Sequence, residues 1–194
     1  MSEYPLSLLD YFKVYENVIP KDLLSELHKF AKRKEIWTTH QFSNYDNTTF
    51  YDKEDCDISY IFVHELELAE NLNKVIWDTL KTYTEHIQTF NQYCHYWNGF
   101  TGVRLNRYNK DHNMKKHVDH ITTMFDGQRR GIPVLSVVGG INDNYKGGEF
   151  VFFDNHEVKI PAGSILIFPS VFLYPHTVKF VTKGTRYSFV SWTW

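Results

Sequence analysis

Residues 163–194 read GSILIFPSVFLYPHTVKFVTKGTRYSFVSWTW, and this stretch decides the fold. Ser164 to Phe168 is a short β-branched and aromatic run opened by Gly163 and closed by Pro169, which predicts a strand. His176 to Val181 and Thr185 to Thr193 repeat the pattern, with Pro175 before the first and Gly184 between the two. Alternate side chains of a strand share a face, so Arg186, Ser188 and Trp192 point the same way. A planar guanidinium fork and a hydroxyl on one face suit a carboxylate.

Moving toward the N-terminus, the same signals place strands at Gly102 to Tyr108, Lys115 to Ile121, Pro133 to Ile141 and Glu149 to Phe153. Seven or eight such strands predict a jelly roll or barrel. Before residue 100 the period changes. A strand from Tyr11 to Ile19 leads to Pro20 at a helix start, after which Leu23, Leu24, Leu27, Phe30 and Ala31 share a face. A second helix is expected from about Glu67 to Thr89, with Leu68, Leu72, Val75, Ile76, Leu80, Tyr83 and Ile87 in phase. The expected fold is mainly β (α+β): residues 1–99 give helical and β support, residues 100–194 form the core, and residues 1–194 make one domain.

A chain of 194 residues with a formal charge of −2 advertises no field for collecting nucleic acid or an anionic membrane. Cys56 and Cys94 lack the spacing of a zinc or redox pair and are too few for a secreted disulfide scaffold. Glu3 and Asp10 flank a short apolar start that lacks the basic opening and long core of a signal peptide, so the expectation is a cytoplasmic protein. No apolar run reaches membrane-spanning length. A chain of this size folds without a metal, so a metal site in it is functional.

His117 and Asp119 project together if both lie on one strand, while Val118 and His120 point away. A His-x-Asp triplet is common by chance and also reads as a solvated strand face. Its weight comes from residues further along the chain: Gly147-Gly148-Glu149, the strand closed by Pro169, then His176 and Gly184-Thr185-Arg186-Tyr187-Ser188. Two histidines and one carboxylate leave three adjacent octahedral positions open, which suits iron(II). A hydrolytic zinc site of the metallo-β-lactamase type also uses His-x-Asp-His, but Lys115 stands where its preceding histidine belongs.

Over residues 100 to 194 these motifs resemble the double-stranded β-helix core of the 2-oxoglutarate and iron(II) oxygenases, especially the prolyl 4-hydroxylase-like branch. Arg107-Tyr108 precedes the His-x-Asp, and Arg186 follows His176 by ten positions, as in that family. The resemblance implies iron(II) held by His117, Asp119 and His176, and 2-oxoglutarate held by Arg186 with Ser188 and Tyr108 as companions. It also implies oxygen as co-substrate, ascorbate as an accessory, and oxidative decarboxylation coupled to hydroxylation of a C–H bond. A prolyl residue in a peptide or protein is the substrate it favours, with a free amino acid or small metabolite as the alternative. The branch that demethylates nucleic acids carries a second arginine six positions after the first, where this chain has Trp192.

A non-catalytic, metal-binding cupin-like jelly roll is the competing class, and Arg186 argues against it. One departure from the family stands out: Val138-Gly139-Gly140-Ile141-Asn142 lacks the aromatic that often precedes the end of this strand. Gly147 and Gly148 read as turn glycines. Residues 122–131 form either a lid or a plain connection. Tyr93, Tyr96, Trp97 and Phe100 form either a peptide groove or core, and Trp192 either an active-site floor or core.

Overall fold

The structure is a computed structural model that describes residues 7–33, 37–39, 42–43, 49–50, 59–63, 65–87, 99–119 and 133–194. Its helices are α1 (Lys21–Ala31) and α2 (Leu66–His86). The strands of the first half are β1 (Lys13–Tyr15), β2 (Thr38–Thr39), β3 (Phe42–Ser43), β4 (Thr49–Phe50) and β5 (Ser59–Phe62). The middle of the chain adds β6 (Arg104–Tyr108), β7 (Met114–His117), β8 (Leu135–Gly140), β9 (Lys146–Gly147), β10 (Phe150–Phe152) and β11 (His156–Val158). The last four are β12 (Ile165–Pro169), β13 (His176–Val178), β14 (Val181–Lys183) and β15 (Arg186–Trp192).

A seven-stranded sheet runs β1-β12-β8-β15-β6-β5-β2 and a four-stranded sheet runs β11-β10-β13-β7. Every pairing within them is antiparallel. The period of two divides each central strand between two cores. Ile165, Ile167, Val137 and Phe189 pack against Leu27, Leu72, Ile76 and Leu80 of the helices. Their neighbours Leu166, Phe168, Val138, Val190 and Trp192 pack with Phe150, Phe152 and Val178 of the smaller sheet. With both faces covered, all six residues of β8 are buried, as in a central strand of a layered fold. The whole is a double-stranded β-helix with helices against its larger sheet.

Both expected helices form close to the expected bounds, because their buried residues recur every three or four positions: Leu23, Leu27 and Phe30 in α1; Leu68, Leu72, Ile76, Leu80 and Tyr83 in α2. The expected strand from Tyr11 to Ile19 shortens to β1. Ser7 caps a 3-10 turn over Leu8–Tyr11, and Asn17, at φ +56°, turns the chain before α1. The expected strand from Lys115 to Ile121 ends at His117, so Asp119 lies beyond the ladder rather than on it. The short β9, β11 and β14 carry only two or three residues each, too few for a periodic signal. Among the described residues, no helix is long and apolar enough to cross a membrane.

Candidate active site

His117 ends β7 and His176 begins β13, and the two are direct partners across the ladder. Their ring centroids are 4.3 Å apart. The Nδ1 atom of His117 lies 2.8 Å from the Lys115 carbonyl, and that of His176 lies 3.0 Å from the Tyr174 carbonyl. A carbonyl can only accept, so each Nδ1 carries the proton and each Nε2 presents a lone pair. Both Nε2 atoms face Asp119 Oδ1, at 3.5 and 3.7 Å. One ligand atom from each of the three residues falls within 4.8 Å of the others. The triplet therefore converges with Asp119 outside the strand, through the chain's course after β7 rather than through strand alternation.

The set is held from behind. Phe150 stacks on His176 at 4.9 Å, and Phe168 meets it edge-on at 5.1 Å. Asp119 Oδ2 accepts a 2.7 Å hydrogen bond from the Ser136 hydroxyl. Burial alone would raise the Asp119 carboxyl, but His176, His117 and Ser136 overcome it and hold it well below the usual carboxylate range. Burial pushes His176 down to about 4, despite the pull of Asp119. In His117 burial acts the same way, yet Asp119 more than offsets it and the pKa lies above the ordinary imidazole value. Two imidazoles and a carboxylate facing one point fit a divalent metal, and the donor set is the two-histidine, one-carboxylate type of non-haem iron(II).

Arg186 opens β15 opposite Tyr108 of β6. It is 3% exposed, and its Nη1 donates to Ser188 Oγ at 3.0 Å. The guanidinium sits 5.1 Å over the Tyr108 ring. Among the described residues, no carboxylate lies within ion-pair reach of it. An unpaired buried cation is costly, so the arrangement calls for an anionic ligand. Ser188 accepts from Arg186 and keeps its own proton to donate. The Tyr108 hydroxyl points to Met114 Sδ at 3.8 Å, so its ring under Arg186 is the better-defined contact. Gly148, at φ +69°, is a turn glycine that also leaves room for Arg186, because a Cβ there would lie 3.0 Å from Arg186 Cδ.

One cavity of about 40 Å³ is lined by His117, Asp119 and His176 together with Arg186, Ser188 and Tyr108. Trp192 lines it as well, which favours the active-site reading of that residue. Arg104 and Asn106 also reach it, and neither is singled out by the sequence reading. Their positions two and four before Tyr108 on a strand are the available signal. Ser136, a hydroxyl inside an otherwise apolar strand, is likewise readable.

The missing aromatic near Gly139 is explained by what already fills the space. A Cβ on Gly139 would lie 2.0 Å from the Phe189 ring, and one on Gly140 would lie 2.4 Å from the Ile160 carbonyl. The space beside Gly140 is filled by main chain of Ile160 and Pro161. Phe100 packs against the helix-side core. Tyr93, Tyr96, Trp97, Cys56, Cys94, His120 and residues 122–131 lie outside the described residues.

Fold and site together define a double-stranded β-helix protein in which a His-Asp-His cluster that could hold a metal ion shares one cavity with a buried arginine. Residues 103–194, just under half of the chain, match the family model of the 2OG-Fe(II) oxygenase superfamily. A PKHD-type hydroxylase of Acinetobacter baumannii is 36% identical over 94 residues, covering 45% of this chain and 40% of the relative. One from Hyphomonas neptunium is 36% identical over 98 residues, covering 46% and 42%. The chain thus spans about two fifths of the length of these relatives.

Among solved structures, a Pseudomonas putida prolyl-4-hydroxylase shares the fold with a TM-score of 0.68 at 15% identity, covering 94% of this chain and 91% of that one. A prolyl hydroxylase from Trichoplax adhaerens, in complex with a hypoxia inducible factor peptide fragment, gives 0.70 at 16% identity over 95% and 84%.

Proposed function

We propose that this chain is an iron(II)- and 2-oxoglutarate-dependent hydroxylase, with residues 1–194 acting as one catalytic domain. His117, Asp119 and His176 hold the iron, and Arg186, with Ser188 and Tyr108, receives the far carboxylate of 2-oxoglutarate. The observation that carries this reading is a buried Arg186, with no carboxylate partner among the described residues, in the same cavity as three converging side chains that could hold a metal. A structural zinc site would have no use for that cation and would close its fourth position with a protein ligand.

When bound, iron and 2-oxoglutarate supply the oxidising chemistry: one atom of O2 enters succinate as CO2 leaves, and the other enters a substrate C–H bond as hydroxyl. The chain's residues orient and exclude. Arg186 and Ser188 fix the co-substrate tail, the Tyr108 ring lies under the guanidinium, and Trp192 and Phe150 give the cavity apolar wall beside the metal-binding side chains.

The substrate we favour is a prolyl residue in a peptide or protein. The likeness in fold to prolyl hydroxylases, one of them carrying a peptide, supports that choice. A free amino acid or small metabolite is the alternative. Incubation with iron(II), ascorbate, labelled 2-oxoglutarate and a panel of proline-containing peptides and metabolites tests both, with His117→Ala as the blank. A peptide gaining one oxygen alongside succinate supports the first choice, and turnover on a metabolite alone supports the second. No succinate under any condition refutes catalysis.

A further inference from the structure

Ser136 has no exposed surface and Ser170 is 1% exposed. Ser136 lies on β8, between Phe168 of β12 and Trp192 of β15 in register. Ser170 comes directly after β12, its backbone N–H bonded to the Val134 carbonyl at 3.0 Å. The two hydroxyl oxygens are 2.8 Å apart, and Ser136 Oγ is 2.7 Å from Asp119 Oδ2. Neither serine lines the cavity that His117, Asp119 and His176 share.

The direction of this chain follows from proton counting. The Ser136 hydroxyl donates to Asp119 Oδ2 and so spends its single proton there. Ser136 must then accept from Ser170. The result is one polarised relay, Ser170 to Ser136 to Asp119, in a dry setting where such bonds strengthen one another. It divides the labour of the carboxylate: Oδ2 is tied behind, while Oδ1 alone stands 3.5 and 3.7 Å from the two histidine Nε2 atoms.

We infer that Ser136, backed by Ser170, is a positioning residue that makes Asp119 a one-oxygen ligand and so keeps open the metal positions that a chelating 2-oxo acid and oxygen must share. The inference rests on the reading of the cluster as an iron(II) site. Without the relay the carboxylate is free to turn about its Cβ–Cγ bond and bring Oδ2 onto the metal. That occupies a position the co-substrate needs.

The test is Co(II) titration of the full chain, read by binding affinity and by the visible absorption of the bound ion, whose intensity reports coordination number. Variants are Ser136→Ala and Ser170→Ala. The second leaves the Ser136–Asp119 bond in place and so serves if the first fails to fold, with thermal unfolding of the metal-free protein as the control. Expected is about a tenfold loss of Co(II) affinity in Ser136→Ala, a weaker absorption band, and a poorer response to added 2-oxoglutarate. Ser170→Ala should shift in the same direction by less. Parent-like affinity and spectrum in both folded variants would overturn the inference while leaving the metal-site reading intact. If the parent itself binds neither Co(II) nor iron(II), the metal-site reading falls first and this inference with it.

Discussion

Arg186→Lys isolates the fork from the charge. The arginine is 3% exposed, donates to Ser188 at 3.0 Å and lies 5.1 Å over Tyr108, so its plane is fixed before any ligand arrives. Lysine keeps the positive charge but offers a point donor on a flexible stem. Losing one charge-assisted bond of a bidentate pair costs about 1.5–3 kcal/mol. Losing the stack on Tyr108 adds up to about 1 kcal/mol. Together these weaken 2-oxoglutarate binding by roughly tenfold to nearly a thousand-fold.

Anaerobic calorimetric titration of 2-oxoglutarate into the iron(II)-loaded variant measures this, beside a separate iron titration that should not change. A dissociation constant within threefold of the parent, or a parallel loss of iron affinity, would falsify the assignment of Arg186 as the tail anchor. Arg186→Met sharpens the contrast. It removes a buried charge that has no carboxylate partner among the described residues, so the metal-free protein should gain about 1 kcal/mol or more, or about 2–4 °C per kcal/mol in unfolding temperature. That variant should also lose the stabilisation of about 2.7 kcal/mol that the parent gains from ligand at a hundred times its Kd.

Three further outcomes are expected. Iron affinity should fall with decreasing pH, because a proton on either Nε2 competes with the metal. The raised pKa of His117 starts that competition above 6.5, whereas His176, held to about 4, adds a second proton only near there. Log affinity should thus drop about one unit per pH unit between pH 6.5 and 5, and a slope of two in Co(II) titrations across that range would count against these opposed shifts. Gly140→Ala places a Cβ 2.4 Å from the Ile160 carbonyl and should cost about 3 kcal/mol or more; urea unfolding within 0.5 kcal/mol of the parent would show that the Ile160–Pro161 segment yields. Ile76→Val, on the buried face of α2, trims one methylene from the helix-side core and should cost about 1 kcal/mol in unfolding. It should leave iron and 2-oxoglutarate affinities unchanged, so a tenfold change in either would contradict the separation of the two cores.

Much of this is legible in the sequence because strands β12 and β15 are long enough for their alternation to show. Counting along β15 places Arg186 and Ser188 on one face, and both line the cavity. The same rule places Asp119 beside His117 for a different reason from the one that holds. The ladder stops at His117, and the Asp119 carboxylate is held by a hydroxyl from β8, far along the chain. Periodicity carries no information about a contact between residues 119 and 136. The wall at Gly140 is illegible for a related reason: glycine announces that a side chain is missing, and only the fold shows that the Ile160–Pro161 backbone fills the space.

The division of the larger sheet also explains where polar residues are tolerated. Strands β8, β12 and β15 send Val137, Ile165, Ile167 and Phe189 to the helices, and the one buried serine that β15 places on that side, Ser191, donates to the Thr101 carbonyl. The opposite face of the same strands carries Ser136, Ser188 and Arg186 among Val138, Leu166, Phe168 and Val190. Each polar group there has a defined partner: Asp119 and Ser170 for Ser136, Ser188 and the Tyr108 ring for Arg186. Apolar packing on the helix side fixes the strands, and the strands hold the polar groups at set spacing on the other side. Binding geometry of this kind depends on a rigid support more than on the strength of any single contact.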